Sequence, residues 1–230
     1  ENFGFTEIAT MEKQKLIDYS FNGELNELNG QRFLDHSVKH LITLAKKEFY
    51  FDNTIFIFVG DHGLPRKAKH IHSAEQRFST HTVHTPLVIY APKLIKAKKI
   101  DYPVSEVDIM ATIAGLSGQT YINTTMGRDI LDKGFDKKEH YAFYMTHDVN
   151  PQINLIAKEF IYRVRADGSD KRLFKYYYKN ENKNLLLKYP KIAKRMENIC
   201  RGIFEETRYT RFHNGLKKNI NFISTINEKK

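Results

Sequence analysis

Thr54-Ile55-Phe56-Ile57-Phe58-Val59-Gly60-Asp61-His62-Gly63 decides the reading of this chain. The apolar, β-branched run 54–59 predicts a buried parallel strand covered on both faces. The chain then delivers a carboxylate, an imidazole and a flexible glycine at the strand's carboxyl end. In open α/β sheets, ligand sites form in the crevice beyond the strand ends. A carboxylate oxygen next to an imidazole nitrogen suits a divalent metal such as Mn²⁺ or Zn²⁺. Two donors do not complete such a site, so the remaining ligands must come from elsewhere. The bland alternative is a turn in which Asp61 caps the next helix.

Working outward, Gln31 to Tyr50 carries Leu34, Val38, Leu41, Ile42, Ala45 and Phe49 at helical spacing, which predicts a helix with one apolar face. Phe51-Asp52-Asn53 breaks it, so helix and strand read as half of a βαβ unit. Before it, residues 1–30 are polar, with one short helix suggested around Leu16 to Ser20. After the Asp-His turn, Leu64 to Thr85 is basic and His-rich. It is long for a connection of this kind (typically ~2–6 residues), which marks a functional loop. Pro86 to Pro92 predicts a second buried strand, and Val104 to Ser117 a helix closed by Gly118. From His140 onward, short strands at 141–145, 153–156, 160–164 and 173–178 predict an antiparallel meander with a turn at Ala166 to Ser169. Leu185 to Arg211 then predicts a helix with Ile192, Met196, Ile199, Ile203 and Phe204 on one face. The expected fold class is α/β, a mostly parallel sheet flanked by helices with a small antiparallel sheet and helix at the carboxyl-terminal end. Residues 1–135 would form the first part of the domain and residues 136–230 its completion.

The 230 residues suffice for one sizeable domain, and 41% hydrophobic with 13% aromatic content argues against disorder. A formal net charge of +10 admits nucleic acid, an anionic membrane surface or an anionic substrate. Nucleic acid is disfavoured, because Lys and Arg are spread along the chain and no recognised binding motif appears. Cys200 is the only cysteine, so no disulfide forms within the chain. No apolar run approaches the ~18 residues needed to span a bilayer. The chain opens on Glu1, not Met, so a piece of a longer protein is expected.

Taken together, 53–63 resembles the carboxyl-terminal metal motif of the sulfatase and alkaline phosphatase superfamily, and most nearly its lipoteichoic acid synthase and phosphoglycerol transferase branch. Phe33 to Val38 resembles the helix before that strand. His84-Thr85-Pro86-Leu87-Val88-Ile89-Tyr90-Ala91-Pro92 resembles the family strand His-x-Pro-Leu-x-Ile-Tyr-Ala-Pro. Val104 to Ile113 and Gly127-Arg128-Asp129-Ile130-Leu131 resemble the segments that follow. Five segments in the same order over roughly 30–132 are far more specific than any one alone.

The resemblance implies that Asp61 and His62 bind a divalent metal, Mn²⁺ first, with Zn²⁺, Mg²⁺ or Ca²⁺ as alternatives. His62 would then be neutral, its second nitrogen held by an acceptor. In such enzymes a metal-activated Thr or Ser attacks phosphorus or sulfur, and the covalent intermediate passes to an alcohol or water. No segment here resembles the nucleophile, so catalytic residues are expected upstream and this chain by itself should be inactive. His84, His72 and His81 are candidate substrate-binding residues, with His70 also in the loop and Arg66, Lys67, Lys69 and Arg77 as candidate anion contacts. Asp35, Asp108 and Thr146-His147-Asp148 read as structural, and the Tyr176 to Tyr178 run as a half-buried strand. The implied function is phosphoglycerol transfer to or from envelope lipid or glycan, on the extracytoplasmic face of a bacterial inner membrane, with an anchor elsewhere in the protein and a lipid- or glycan-linked phosphate as partner. The alternatives are a sulfuric ester hydrolase, or a non-catalytic envelope sensor on the same fold.

Overall fold

The computed structural model describes residues 4–19, 21, 23–63, 71–135, 139–146, 149–176 and 183–213. Its backbone divides into two compact units, one formed by Glu1–Ile100 and the other by Asp101–Tyr176 with the following helix. Both mix helices with small antiparallel sheets, so the α/β class stands, although no parallel pair of strands occurs among the described residues.

In the first unit, a short helix α1 (Lys13–Asp18) buries Leu16 and precedes the long α2 (Leu25–Ala45). Helix α2 starts earlier than the apolar pattern predicts. Asn29 explains why: its amide donates to the Ile8 carbonyl at 3.0 Å and its Oδ1 accepts from Ile8 N–H at 2.9 Å. A buried Asn is tolerable only with both ends of its amide satisfied, and here Ile8 in the segment before α1 satisfies them. Phe5 closes the same contact edge-on to Phe33, at 5.3 Å between ring centres.

Strand β1 (Phe56–Val59) pairs with β2 (Leu87–Tyr90), Phe56 opposite Tyr90 and Val59 opposite Leu87. The pairing is antiparallel, which corrects the βαβ expectation: an apolar run shows that a strand is covered, not which way its neighbour runs. Burial is corrected too. All eight residues are apolar, yet none is buried, and Val59 and Val88 are 44% and 53% exposed. On α2, Leu34 and Leu41 from the predicted apolar face are likewise exposed, as is Phe49 beyond its end. Between the strands, α3 (Ser73–Arg77) buries Ala74 and leads through Phe78, also buried, into a 3-10 turn at Thr80–Thr82.

The second unit opens with α4 (Asp108–Leu116), ended as expected by Gly118 at φ +69°. Asp108 is 1% exposed and acts as its anchor. One carboxylate oxygen accepts from Arg128 N at 2.8 Å and Nε at 3.0 Å; the other accepts from Arg128 Nη2 at 2.7 Å and Ser105 N at 2.9 Å. The guanidinium also donates to the carbonyls of Glu139 and Tyr141 and lies 3.8 Å over the Tyr141 ring. A buried charge needs this degree of pairing to persist.

The four-stranded sheet matches the predicted meander. It runs β3 (Tyr141–Met145), β4 (Gln152–Ala157), β5 (Phe160–Arg165), β6 (Arg172–Lys175), each antiparallel to the next. Ile153, Leu155, Tyr162, Val164 and Leu173 join Ala193, Met196, Cys200 and Ile203 of α5 (Pro190–His213) in one core. Spacings of three and four along α5 put those residues on one stripe, and each large side chain buried contributes about 1.5–3 kcal/mol. Proline suits the first turn of α5, where its missing N–H has no helical partner to lose.

Candidate active site

The turn after β1 is fastened at both ends to the segment entering β2. Gly60 N–H donates to the Pro86 carbonyl at 3.2 Å, and Gly63 N–H to the Thr82 carbonyl at 2.9 Å. A methyl group at Gly60 would sit 3.1 Å from Thr85 Cβ and 3.2 Å from Pro86 Cδ; at Gly63 it would overlap the His81 carbonyl. Close approach of two backbones, not a left-handed backbone, is therefore what requires the glycines.

Held between them, Asp61 Oδ1 accepts from His62 N–H at 2.9 Å. His62 Nδ1 lies 3.0 Å from the Gly63 carbonyl. A carbonyl only accepts, so the proton belongs on Nδ1 and the lone pair on Nε2. Nε2 in turn stands 3.6 Å from Asp61 Oδ2, and the two side chains are 68% and 88% exposed. Two ligands on one tetrahedral metal at ~2.1 Å stand about 3.4 Å apart, so this pair fits one edge of a coordination shell. No group of three or more His, Cys, Asp or Glu side chains suited to a metal occurs among the described residues. The pair fits the metal, but alone it is half a site.

The candidate histidines differ from one another. His72 is the N-cap of α3, its Nδ1 accepting from Ala74 N–H at 3.2 Å. That lone pair is committed to the helix. His81 Nδ1 lies 3.0 Å from the Glu75 carbonyl, and His84 Nδ1 lies 3.8 Å from Glu75 Oε1. Glu75 is thus common to both, and sequence reading passed over it. Its only signal was an acid in the first turn of a helix set between histidines. Arg77 packs over the Phe78 ring at 5.2 Å. Asp35 is exposed on α2, while Asp108 has the structural role expected of it. Arg66, Lys67, Lys69, His70, His147, Asp148, Tyr177 and Tyr178 lie outside the described residues.

Residues 25–119 match the family described as Sulfatase. A protein named Sulfatase from Formosa agariphila is 33% identical over 86 residues, which is 37% of this chain and 17% of that protein. Among solved structures, a 2-O GAG sulfatase aligns over 86% of this chain and 47% of its own, with TM-score 0.56 and 15% identity. A Bacteroides thetaiotaomicron protein provisionally assigned as a sulfatase aligns over 84% of this chain and 44% of its own, with TM-score 0.55 and 17% identity. The family match covers residues 25–119 of this chain, and the two solved structures share its fold. The chain spans less than half the length of each of these relatives.

Proposed function

We propose that this chain forms part of a metal-dependent enzyme of the sulfatase superfamily that transfers or hydrolyses phosphate or sulfate esters. The observation that carries this is the Asp61–His62 turn. Its glycines lock it against Thr82–Pro86, and its two donor atoms, Oδ2 and Nε2, stand at ligand spacing. Asp61 and His62 would hold the metal, with the Gly63 carbonyl fixing the His62 tautomer. When bound, a divalent ion would lower the pKa of a nucleophilic hydroxyl and offset charge on the ester oxygens. The nucleophile and the remaining ligands would come from another part of a longer protein, and the chain by itself would be inactive.

For the substrate, we favour phosphoglycerol transfer to or from an envelope lipid or glycan, on the outer face of a bacterial inner membrane. The order of motifs from Phe33 to Leu131 and the Asp-His pair support it, and the excess of basic residues suits an anionic ester. No helix among the described residues is long and apolar enough to cross a membrane, so an anchor would lie elsewhere in the protein. Sulfuric ester hydrolysis is the second reading, favoured by the family match and by the names of the relatives.

The test is to assay the protein that carries this chain with the rest of its catalytic domain on glycerophosphoglycerol and on p-nitrophenyl sulfate. Phosphodiester turnover that falls about 10²-fold or more with chelator and with Asp61→Ala supports the first reading. Turnover of the sulfate ester alone selects the second. Activity unchanged by chelator and by Asp61→Ala overturns both.

A further inference from the structure

We propose that the outer face of α5 docks on an anionic phospholipid bilayer. Tyr209 and Phe212 enter the head-group layer there, and Arg208 and Arg211 pair with lipid phosphates. The helix belongs to the unit that does not carry the Asp61–His62 turn, so this surface is testable apart from the ester chemistry.

The core accounts for only part of α5. Its buried residues, Ala193, Met196, Cys200 and Ile203, end at Ile203, while the helix runs on to His213. At 1.5 Å per residue, about 15 Å of helix lies beyond the core stripe. In that stretch Tyr209 is 60% exposed and Phe212 is 76% exposed. Residues three apart share a helix face, so the two rings form one aromatic patch. Phe212 follows Ile203 by about two and a half turns, which points it away from the core. A helix end facing water gains nothing from two large rings. At a bilayer surface, aromatic rings settle at the level of the head groups.

Charge on the same face is complementary to lipid phosphate. Helix α5 carries six Lys and Arg residues against three Glu. Lys191, Lys194, Arg201 and Arg208 recur at spacings of three and seven, which keeps them on the side that bears Phe212. Two of the acids are engaged within the chain. Glu197 holds Lys171 at 2.7 Å, and Glu205, inside the stripe, meets Arg208 at 3.0 Å and Arg201 at 4.0 Å. The Arg208 guanidinium lies 5.6 Å over the Phe204 ring, yet its side chain remains 59% exposed. Its stem thus covers apolar surface while its head stays available to an anion, as basic side chains do at a membrane surface.

The geometry favours lipid over the other anionic or apolar occupants. Tyr209 stacks on His213, ring centres 4.1 Å apart at 12°, and His213 Nδ1 donates to the Tyr209 carbonyl at 2.9 Å. One face of Tyr209 is therefore covered. That suits a ring entering head groups edge-first and does not suit a nucleic-acid base stacking on it. Two copies of this face would set like charges against each other.

The test is co-sedimentation of the 230-residue chain with vesicles of phosphatidylcholine, alone or with about 30% phosphatidylglycerol, at about 0.1 M NaCl. Binding is expected with the anionic vesicles only. Affinity should fall about tenfold in Tyr209→Ser/Phe212→Ser and about tenfold in Arg208→Gln/Arg211→Gln. Lys46→Gln/Lys47→Gln removes the same charge from the end of α2 and should change affinity by less than about twofold. All six positions are exposed, so urea midpoints should match the wild type. The proposal is overturned by absence of binding to anionic vesicles, or by an aromatic variant that binds like the wild type. An equal loss in the Lys46/Lys47 variant also overturns it, because net charge alone would then explain binding. So does tighter binding of a single-stranded oligonucleotide through the same residues, which would make the face a nucleic-acid surface.

Discussion

Gly63 and Gly30 separate the two reasons a chain keeps a glycine. A methyl group at Gly63 meets the His81 carbonyl, whereas one at Gly30, within α2, meets nothing within 4 Å. Gly63→Ala is therefore expected to destabilise the chain by about 1–3 kcal/mol and to displace His62. Gly30→Ala should stabilise it by about 0.5–1 kcal/mol through lower unfolded-state entropy. Urea titration of both variants measures the contrast, and equal effects would argue against the close approach. The candidate turn was legible at this scale, since Asp61, His62 and the glycines can be read from ten residues of sequence. The roles of the histidines were not. Nothing in the spacing of His72, His81 and His84 says which ring caps a helix and which one faces Glu75.

Among the elements, the meander and α5 were legible because alternation and helical spacing are local signals, and Tyr141–Met145 falls where it was expected. The direction of β2 relative to β1 was not, because pairing depends on residues some 30 positions apart. Nor was the start of α2, which depends on Asn29 meeting Ile8. The hub that ties α4 to β3 gives a sharp prediction. Asp108→Ala leaves the Arg128 guanidinium, 14% exposed, without its partner. A loss of about 3–5 kcal/mol is expected by urea unfolding, and a loss below 1 kcal/mol would mean that water already solvates the pair.

Helix α5 adds a prediction about pH. Burial pushes the Cys200 thiol up to about 12 and the Tyr162 phenol above its ordinary range. Both groups stay neutral in the folded chain after their unfolded counterparts ionise. Their contribution to stability is thus complete below about pH 8.5, the ordinary thiol value, and is lost as pH rises toward 12. The urea midpoint should fall between pH 8 and pH 10.5. At pH 8 a thiol reagent should label Cys200 only after denaturant is added; rapid labelling of the native chain would contradict its burial.

Across the whole molecule, apolar packing is uneven. The second unit has a contiguous core between β4, β5, β6 and α5, while the first leaves both of its strands unburied and several leucines of α2 exposed. Native-state hydrogen exchange should therefore show the strongest protection in β4 and β5 and markedly less in β1 and β2. Equal protection in the two sheets would refute this. The Asp61–His62 turn thus sits on the less packed unit.

We propose that Asp61 and His62 supply half the ligands of a divalent metal. Titration of Mn²⁺ into this chain by calorimetry, beside Asp61→Ala and His62→Ala, tests it most directly. One weak site is expected in the wild type, and neither variant should retain it. Absence of binding to the wild type, or binding that survives in both variants, would contradict it.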